Sequence, residues 1–227
     1  MRAVPGLRER KKQQTRQLIA DTARRLFTEH GFDSVTVAAV AAAANVSEGT
    51  VFNYFPTKEH LFFDGMENYE ADLLTTIRDR GPGESVLAAF GRFVIERSPR
   101  LADTDARQVI ATSAGVIGAS PALQTREREI ISSYTQSLAA LIAEETDAAP
   151  DDIEPWVAAN AIMGVHQALL DNVRRRALGD HHDPDLAAAA RAQTQRALAR
   201  LEHGLANYAV KSRGNTPAAQ QPKKQWR

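Results

Sequence analysis

The chain has 227 residues, with 28 Lys and Arg against 28 Asp and Glu, and it has no cysteine. Disulfides and thiolate metal sites are therefore excluded. No apolar run reaches transmembrane length and the N-terminus lacks a signal-peptide core, so a cytoplasmic protein is expected. Charge is unevenly spread: residues 1–60 are net basic, 61–210 net acidic, and 211–227 basic with no acidic residue. A basic end on an acidic body suits a protein that docks one end on a polyanion.

Residues 1–12 contain Pro5, Gly6, Arg8, Arg10, Lys11 and Lys12 and read as a flexible basic arm, able to touch phosphates if a DNA-binding element follows. A first helix is expected over 13–30, with Leu18, Ile19, Ala23, Leu26 and Phe27 on one face. Gly31 closes it, and Phe32 folds back on Phe27. Thr36 is placed to cap a short helix carrying Val37, Val40, Ala41 and Ala44. Asn45 then marks a tight turn, because Asn tolerates a left-handed backbone. Ser47 caps a second short helix, Glu48 to Phe55, and Pro56 ends it.

Gly49 is the informative residue of that helix. Inside a helix glycine costs about 1 kcal/mol against alanine, which makes sense where the backbone must approach another surface. The outward set around it is Glu48, Thr50, Asn53 and Tyr54, while Val51 and Phe55 point inward. Lys58 falls in the first turn of the next helix, where the dipole disfavours a cation, so an anion opposite it is expected. This pattern fits a helix-turn-helix with its second helix in the major groove.

The run Ser47-Glu48-Gly49-Thr50-Val51-Phe52-Asn53-Tyr54-Phe55-Pro56-Thr57-Lys58-Glu59-His60-Leu61 resembles the signature of the TetR family of bacterial transcriptional regulators. The resemblance covers residues 15–61. It implies an all-α homodimer with an N-terminal three-helix DNA-binding domain (13–60) and a helical ligand-binding and dimerisation domain (61–210). Two departures stand out. Phe52 replaces the family's usual Tyr, and Ala38 and Ala39 can offer only methyl contacts to bases. Base recognition is therefore expected to lean on the second helix and on DNA shape. The expected DNA-contact set is Thr36, Glu48, Gly49, Thr50, Phe52, Asn53, Tyr54 and Lys58. Within it, Glu48 can accept from a cytosine amine and Phe52 can touch a thymine methyl.

Beyond the signature, one long helix is expected over 58–80, broken by Gly81-Pro82-Gly83. Further helices follow over 84–96, 104–119 and 121–145, the second weakened by Gly115 and Gly118. Two final helices, 151–178 and 185–208, carry spaced apolar residues that include Leu198. They are expected to form a four-helix seam between two subunits. An apolar effector cavity is expected from Phe90, Phe93, Val94, Ile110, Val116, Ile117, Tyr134, Met163 and His166. Its occupant would be a small hydrophobic molecule, and the other partner a pseudo-palindromic double-stranded DNA operator. Asp180, His181, His182 and Asp183 read as a loop rather than a metal site, because adjacent residues rarely converge on one ion. Residues 211–227 read as a disordered basic tail. No glycine-rich phosphate loop and no nucleophile-base set is present, so no catalytic residue and no cofactor are assigned. The competing reading is an α-helical enzyme or interaction module that keeps the helix-turn-helix as scaffold.

Overall fold

The structure is a computed structural model and describes residues 6–179 and 183–203. Every regular element among them is helical. A head is built from α1 (Leu7–His30), α2 (Val37–Ala43), α3 (Glu48–Tyr54) and α4 (Lys58–Phe62). A body follows from α5 (Met66–Arg78), α6 (Val86–Arg97), a 3-10 turn (Ser98–Ala102), α7 (Thr104–Ala119), α8 (Pro121–Thr146), α9 (Glu154–Gly179) and α10 (Leu186–Glu202). The tail over 211–227, the residues Asp180, His181 and His182, and the end of the last expected helix lie outside the described residues.

Side-chain caps fix many of the helix starts. Thr36, Ser47 and Ser85 each accept the amide three residues on, and Asp103 accepts that of Asp105. Each satisfies an amide that the helix itself leaves open. Ser120 caps α8, with Pro121 in the first turn, where its missing N–H costs nothing. Gly115 and Gly118 do not interrupt α7, which runs unbroken to Ala119.

Three expectations are corrected. First, α1 begins at Leu7, so residues 7–12 of the segment read as a flexible arm are helix, while residues 1–5 lie outside the described residues. Second, the helix expected over 58–80 is two helices. Gly65 has φ 89°, a conformation that costs other residues a clash with their own Cβ, and the chain turns there. The break sends neighbouring aromatics to different places. Phe62 joins Phe27 and Phe32 in the head, with ring centroids 6.3 Å from each, while Phe63 packs against both the head and body cores. Third, Leu198 does not face an outer seam. It packs into the body core, and its Cδ1 occupies the place a Cβ on Gly91 would take.

The head core gathers Ile19, Ala23, Phe27, Val40, Val51, Phe55 and Leu61, and it also takes in Ile117 and Leu123 from the body. The corner between α7 and α8 is thus wedged into the head. The body core holds Leu73, Ile77, Phe90, Phe93, Tyr134, Leu138, Ile162 and Met163. A smaller cluster of Ala111, Ala177 and Leu186, with Ile110 against it, pins α7, α9 and α10 together. Leu18, expected in the α1 stripe, is 51% exposed, at the edge of the buried face.

Candidate nucleic-acid interface

The turn between α2 and α3 has the expected geometry. Asn45 sits at φ 54°, and the Val46 amide reaches back to the Ala41 carbonyl at 3.0 Å. Val51 and Phe55 anchor α3 at 1% exposure each. Its opposite face is open: Glu48, Gly49 and Asn53 are exposed, as is Thr36 at the start of α2. Phe52, a large apolar ring, is 48% exposed. Thr50 and Tyr54 are half-buried at the edge of the same face. A Cβ on Gly49 would meet only Ser47 Oγ, at an ordinary 3.8 Å. Nothing inside the protein requires glycine there, which leaves an outside surface as the reason for it.

Lys58 departs from expectation. Its Nζ donates to the Phe32 and Val35 carbonyls at 2.9 and 3.0 Å and lies 4.2 Å from the centre of the Phe32 ring. The anion inferred from its helix position is supplied instead by two backbone carbonyls. Lys58 is therefore a latch across the α1–α2 loop, with one ammonium proton left for a phosphate. Replacing it with Met should lower head stability by about 1.5–3 kcal/mol, the usual worth of hydrogen bonds to a charged group. Urea unfolding measures this, and an unchanged midpoint would reduce Lys58 to a surface charge. Thr57 stands before α4 without serving its amides: its hydroxyl donates to Glu59 Oε2 at 2.6 Å.

Arg16 was not singled out by its sequence position, yet it organises the back of the interface. Its Nε and Nη2 donate to Asp64 Oδ1 at 3.1 and 2.8 Å, and Nη1 donates to the Tyr54 carbonyl at 3.1 Å. Its guanidinium lies 4.6 Å from the centre of the Phe55 ring. One side chain thus holds the end of α3 to the break between α4 and α5. Its partners are 38 and 48 residues away, so no local spacing announces them.

The head meets the body through two further polar contacts. Ser120 Oγ donates to Asp33 Oδ1 at 2.8 Å. Arg126 Nη2 lies 3.2 Å from His60 Nε2. Arginine only donates, so His60 accepts at Nε2, and its Nδ1 proton points to Thr57 Oγ1 at 3.0 Å. Beside these contacts opens a cleft of about 500 Å³, lined by Arg16, Tyr54, His60, Arg126 and Tyr134 among others.

The expected effector set is not one cluster. Val116 and Ile117 pack against the head core, and Ile110 belongs to the small cluster under α10. Helical spacing could not separate these three, because α7 packs against different neighbours along its length. Phe90, Phe93, Val94, Tyr134 and Met163 do share the body core, with His166 against them. Tyr69, outside the expected effector set, sits at their centre. Its ring lies 5.2 Å from Phe93, 6.2 Å from Tyr134 and 5.6 Å from His166. Burial pushes the Tyr69 hydroxyl up to about 12, against a smaller pull from Arg97. Burial, helped by the positive charge of Arg174, pushes His166 down to about 4.

His166 is therefore neutral in the fold, where it meets the Tyr69 hydroxyl at 3.5 Å. Its folded value lies below the ordinary 6.5, so the unfolded chain takes up a proton that the fold refuses. That stability is complete above about pH 6.5 and is lost progressively as pH falls toward 4. The wild type should lose about 2 kcal/mol more than His166→Gln between pH 7 and pH 5. Equal losses in paired urea titrations would show that His166 is not desolvated.

An open polar helix face, set by a tight turn over its own small core and carried on a helical body, defines a helix-turn-helix DNA-binding protein. Residues 19–64 match the family described as bacterial regulatory proteins, tetR family. The regulator TcmR of Streptomyces glaucescens is 33% identical over 86 residues, which cover 38% of this chain and 38% of that protein. The structure of NalD, the secondary repressor of the MexAB-OprM multidrug efflux pump in Pseudomonas aeruginosa, is similar with a TM-score of 0.57 at 20% identity. That likeness covers 82% of this chain and 96% of NalD. A complex of SmeT with triclosan gives a TM-score of 0.52 at 15% identity over 81% of this chain and 91% of that one; SmeT represses the efflux pump SmeDEF in Stenotrophomonas maltophilia. Residues 19–64 are therefore similar to the DNA-binding domain of the TetR family of bacterial transcriptional regulators. The chain's match spans well under half the length of TcmR, and the structural likenesses, at 20% and 15% identity, speak for the fold alone.

Proposed function

We propose that the protein is a homodimeric repressor that a small hydrophobic molecule releases from a pseudo-palindromic operator. The observation that carries this reading is the face of α3: an exposed Phe52, an unforced Gly49 and a row of polar side chains, backed by Arg16 and Lys58. Thr36, Thr50, Asn53 and Tyr54 would hold phosphates and nearby base edges, with Glu48, Gly49 and Phe52 toward the groove floor. Among the described residues no helix is long and apolar enough to cross a membrane, and no group of three side chains could hold a metal.

The proposed dimer seam is the outer face of α9 and α10. A groove of about 350 Å³ runs there, lined by Ala161, Gly164, Val165, Ala168, Gln193 and Ala197 among others. Val157, 60% exposed, extends the same face of α9. Small side chains at three- and four-residue spacing let helices approach closely. The effector would enter the aromatic set around Tyr69, Phe93, Tyr134 and His166, where one neutral imidazole offers a polar anchor in apolar surroundings. That SmeT has been seen with triclosan supports a ligand of this kind. Phe90 and Phe93 are fully buried, so entry requires the body to open. A tenfold loss of DNA affinity then needs about 1.4 kcal/mol of preference for the DNA-incompetent spacing.

The test is a gel shift on duplex DNA flanking the gene, repeated with hydrophobic aromatic and fatty-acyl compounds. The proposal expects a specific complex that some of these compounds dissolve. Absence of specific binding would overturn it. Specific binding that no compound affects would remove the effector and leave a constitutive repressor.

A further inference from the structure

The geometry points to a second DNA-binding element on the same head: the first turns of α1, whose Arg8, Lys11 and Lys12 grip the backbone of the duplex that α3 reads. This deepens the proposed function and rests on it. The family match begins only at residue 19, so these turns lie outside it, yet the helix starts at Leu7.

A groove of about 850 Å³ separates this stretch from the DNA-facing edge of α3. Arg8, Lys11 and Lys12 form one wall, and Thr50, Asn53 and Tyr54 belong to the other. Residues 8, 11, 12 and 15 follow the spacing that puts side chains on one helix face. Thr15 lines the same groove, its hydroxyl held by the Lys11 carbonyl at 3.0 Å. The basic wall and the recognition helix therefore border one continuous space.

The charges in that wall are arranged differently from those further along α1. There, Arg24 pairs with Asp21 at 2.6 Å and Arg25 with Glu29 at 3.0 Å. Arg8, Lys11 and Lys12 are exposed and, among the described residues, form no ion pair. Glu9 is the one acidic side chain on the groove. Like charges three and four apart destabilise a helix, and cations near its N-terminus oppose its dipole. Gly6 adds no side-chain cap. On its own the arrangement is unfavourable. A polyanion laid along the groove reverses the sign of each of these contributions, and the duplex held by α3 would present its phosphates there.

The test uses the full chain carrying Arg8→Gln, Lys11→Gln and Lys12→Gln together. Gln removes charge at exposed positions while keeping a good helix former. Operator and random-duplex affinities are measured from low to moderate salt, beside wild type and a Thr50→Ala/Asn53→Ala variant. Each phosphate contact contributes roughly 0.9 to the slope of log affinity against log salt, so the triple variant should flatten it by about 2.7 per head. Operator and random DNA should weaken together, leaving their ratio within about threefold. A slope unchanged from wild type would overturn the inference. If the Thr50/Asn53 variant still lost operator preference in that case, the proposed function would stand without it. Wild type that binds neither duplex would overturn both.

Discussion

Ala168→Arg should yield a folded monomer with little remaining operator affinity. Ala168 is exposed at the middle of α9 and lines the shallow groove between α9 and α10, so the substitution removes no buried contact within the subunit. In a four-helix seam the same guanidinium would be driven into the partner's copy of this groove, because a two-fold interface places each patch against itself. Light scattering should report monomer while thermal unfolding at low protein concentration keeps its midpoint. Two heads bound to one operator gain about 10²–10⁴ over one head through effective concentration, and the monomer forfeits that gain. Leu198→Glu would be a poorer probe, since Leu198 is half-buried against the body core and a charge there would destabilise the subunit whatever its assembly. A stable dimer of Ala168→Arg would move the interface to another face.

Leu123→Ala should destabilise the protein by about 2–5 kcal/mol, the usual cost of a cavity at a fully buried leucine. This is a large share of the roughly 5–15 kcal/mol that holds a domain folded. The informative part is where the loss appears. Leu123 is on α8, in the body, but is 0% exposed within the core of the head. Hydrogen exchange should accelerate at head amides such as Val51 and Phe55, which are held by bonds to Ser47 and Val51 at 3.1 and 2.9 Å. Leu138→Ala, at an equally buried site in the body core, should accelerate exchange in the body first. The same exchange pattern from both variants would mean that head and body open as one unit, with no special coupling at the α7–α8 corner.

Under the proposed function, that corner would carry an effector event to the head. Ile117 and Leu123 pack into the head, Ser120 bonds Asp33, and Arg126 meets His60 on α4. A shift of α7 or α8 caused by a ligand near Tyr134, itself on α8, would move these contacts with it. Packed contacts of this kind tend to have discrete alternatives rather than to bend continuously.

Much of the head was determined by sequence alone, because its information is local. A cap and the amide it serves lie three residues apart, a turn needs one residue tolerant of positive φ, and an apolar face needs only helical spacing. Thr36, Asn45, Ser47, Val51, Phe55 and the Phe27–Phe32 contact could therefore be read directly, as could the all-helical body with most of its breaks. What tertiary structure decided involved partners far apart in the chain. Spacing shows that Lys58 is misplaced for its helix dipole but not that carbonyls of Phe32 and Val35 satisfy it. It shows that Ile110, Val116 and Ile117 are apolar but not that α7 passes from one core to another along its length. Gly65 read as an ordinary helix residue until the paths of α4 and α5 required φ 89° there. Arg16 and Leu198 follow the same rule: helical spacing was silent on the first and placed the second at an outer seam, and the actual neighbour of each, Asp64 or Gly91, was chosen by how distant helices pack.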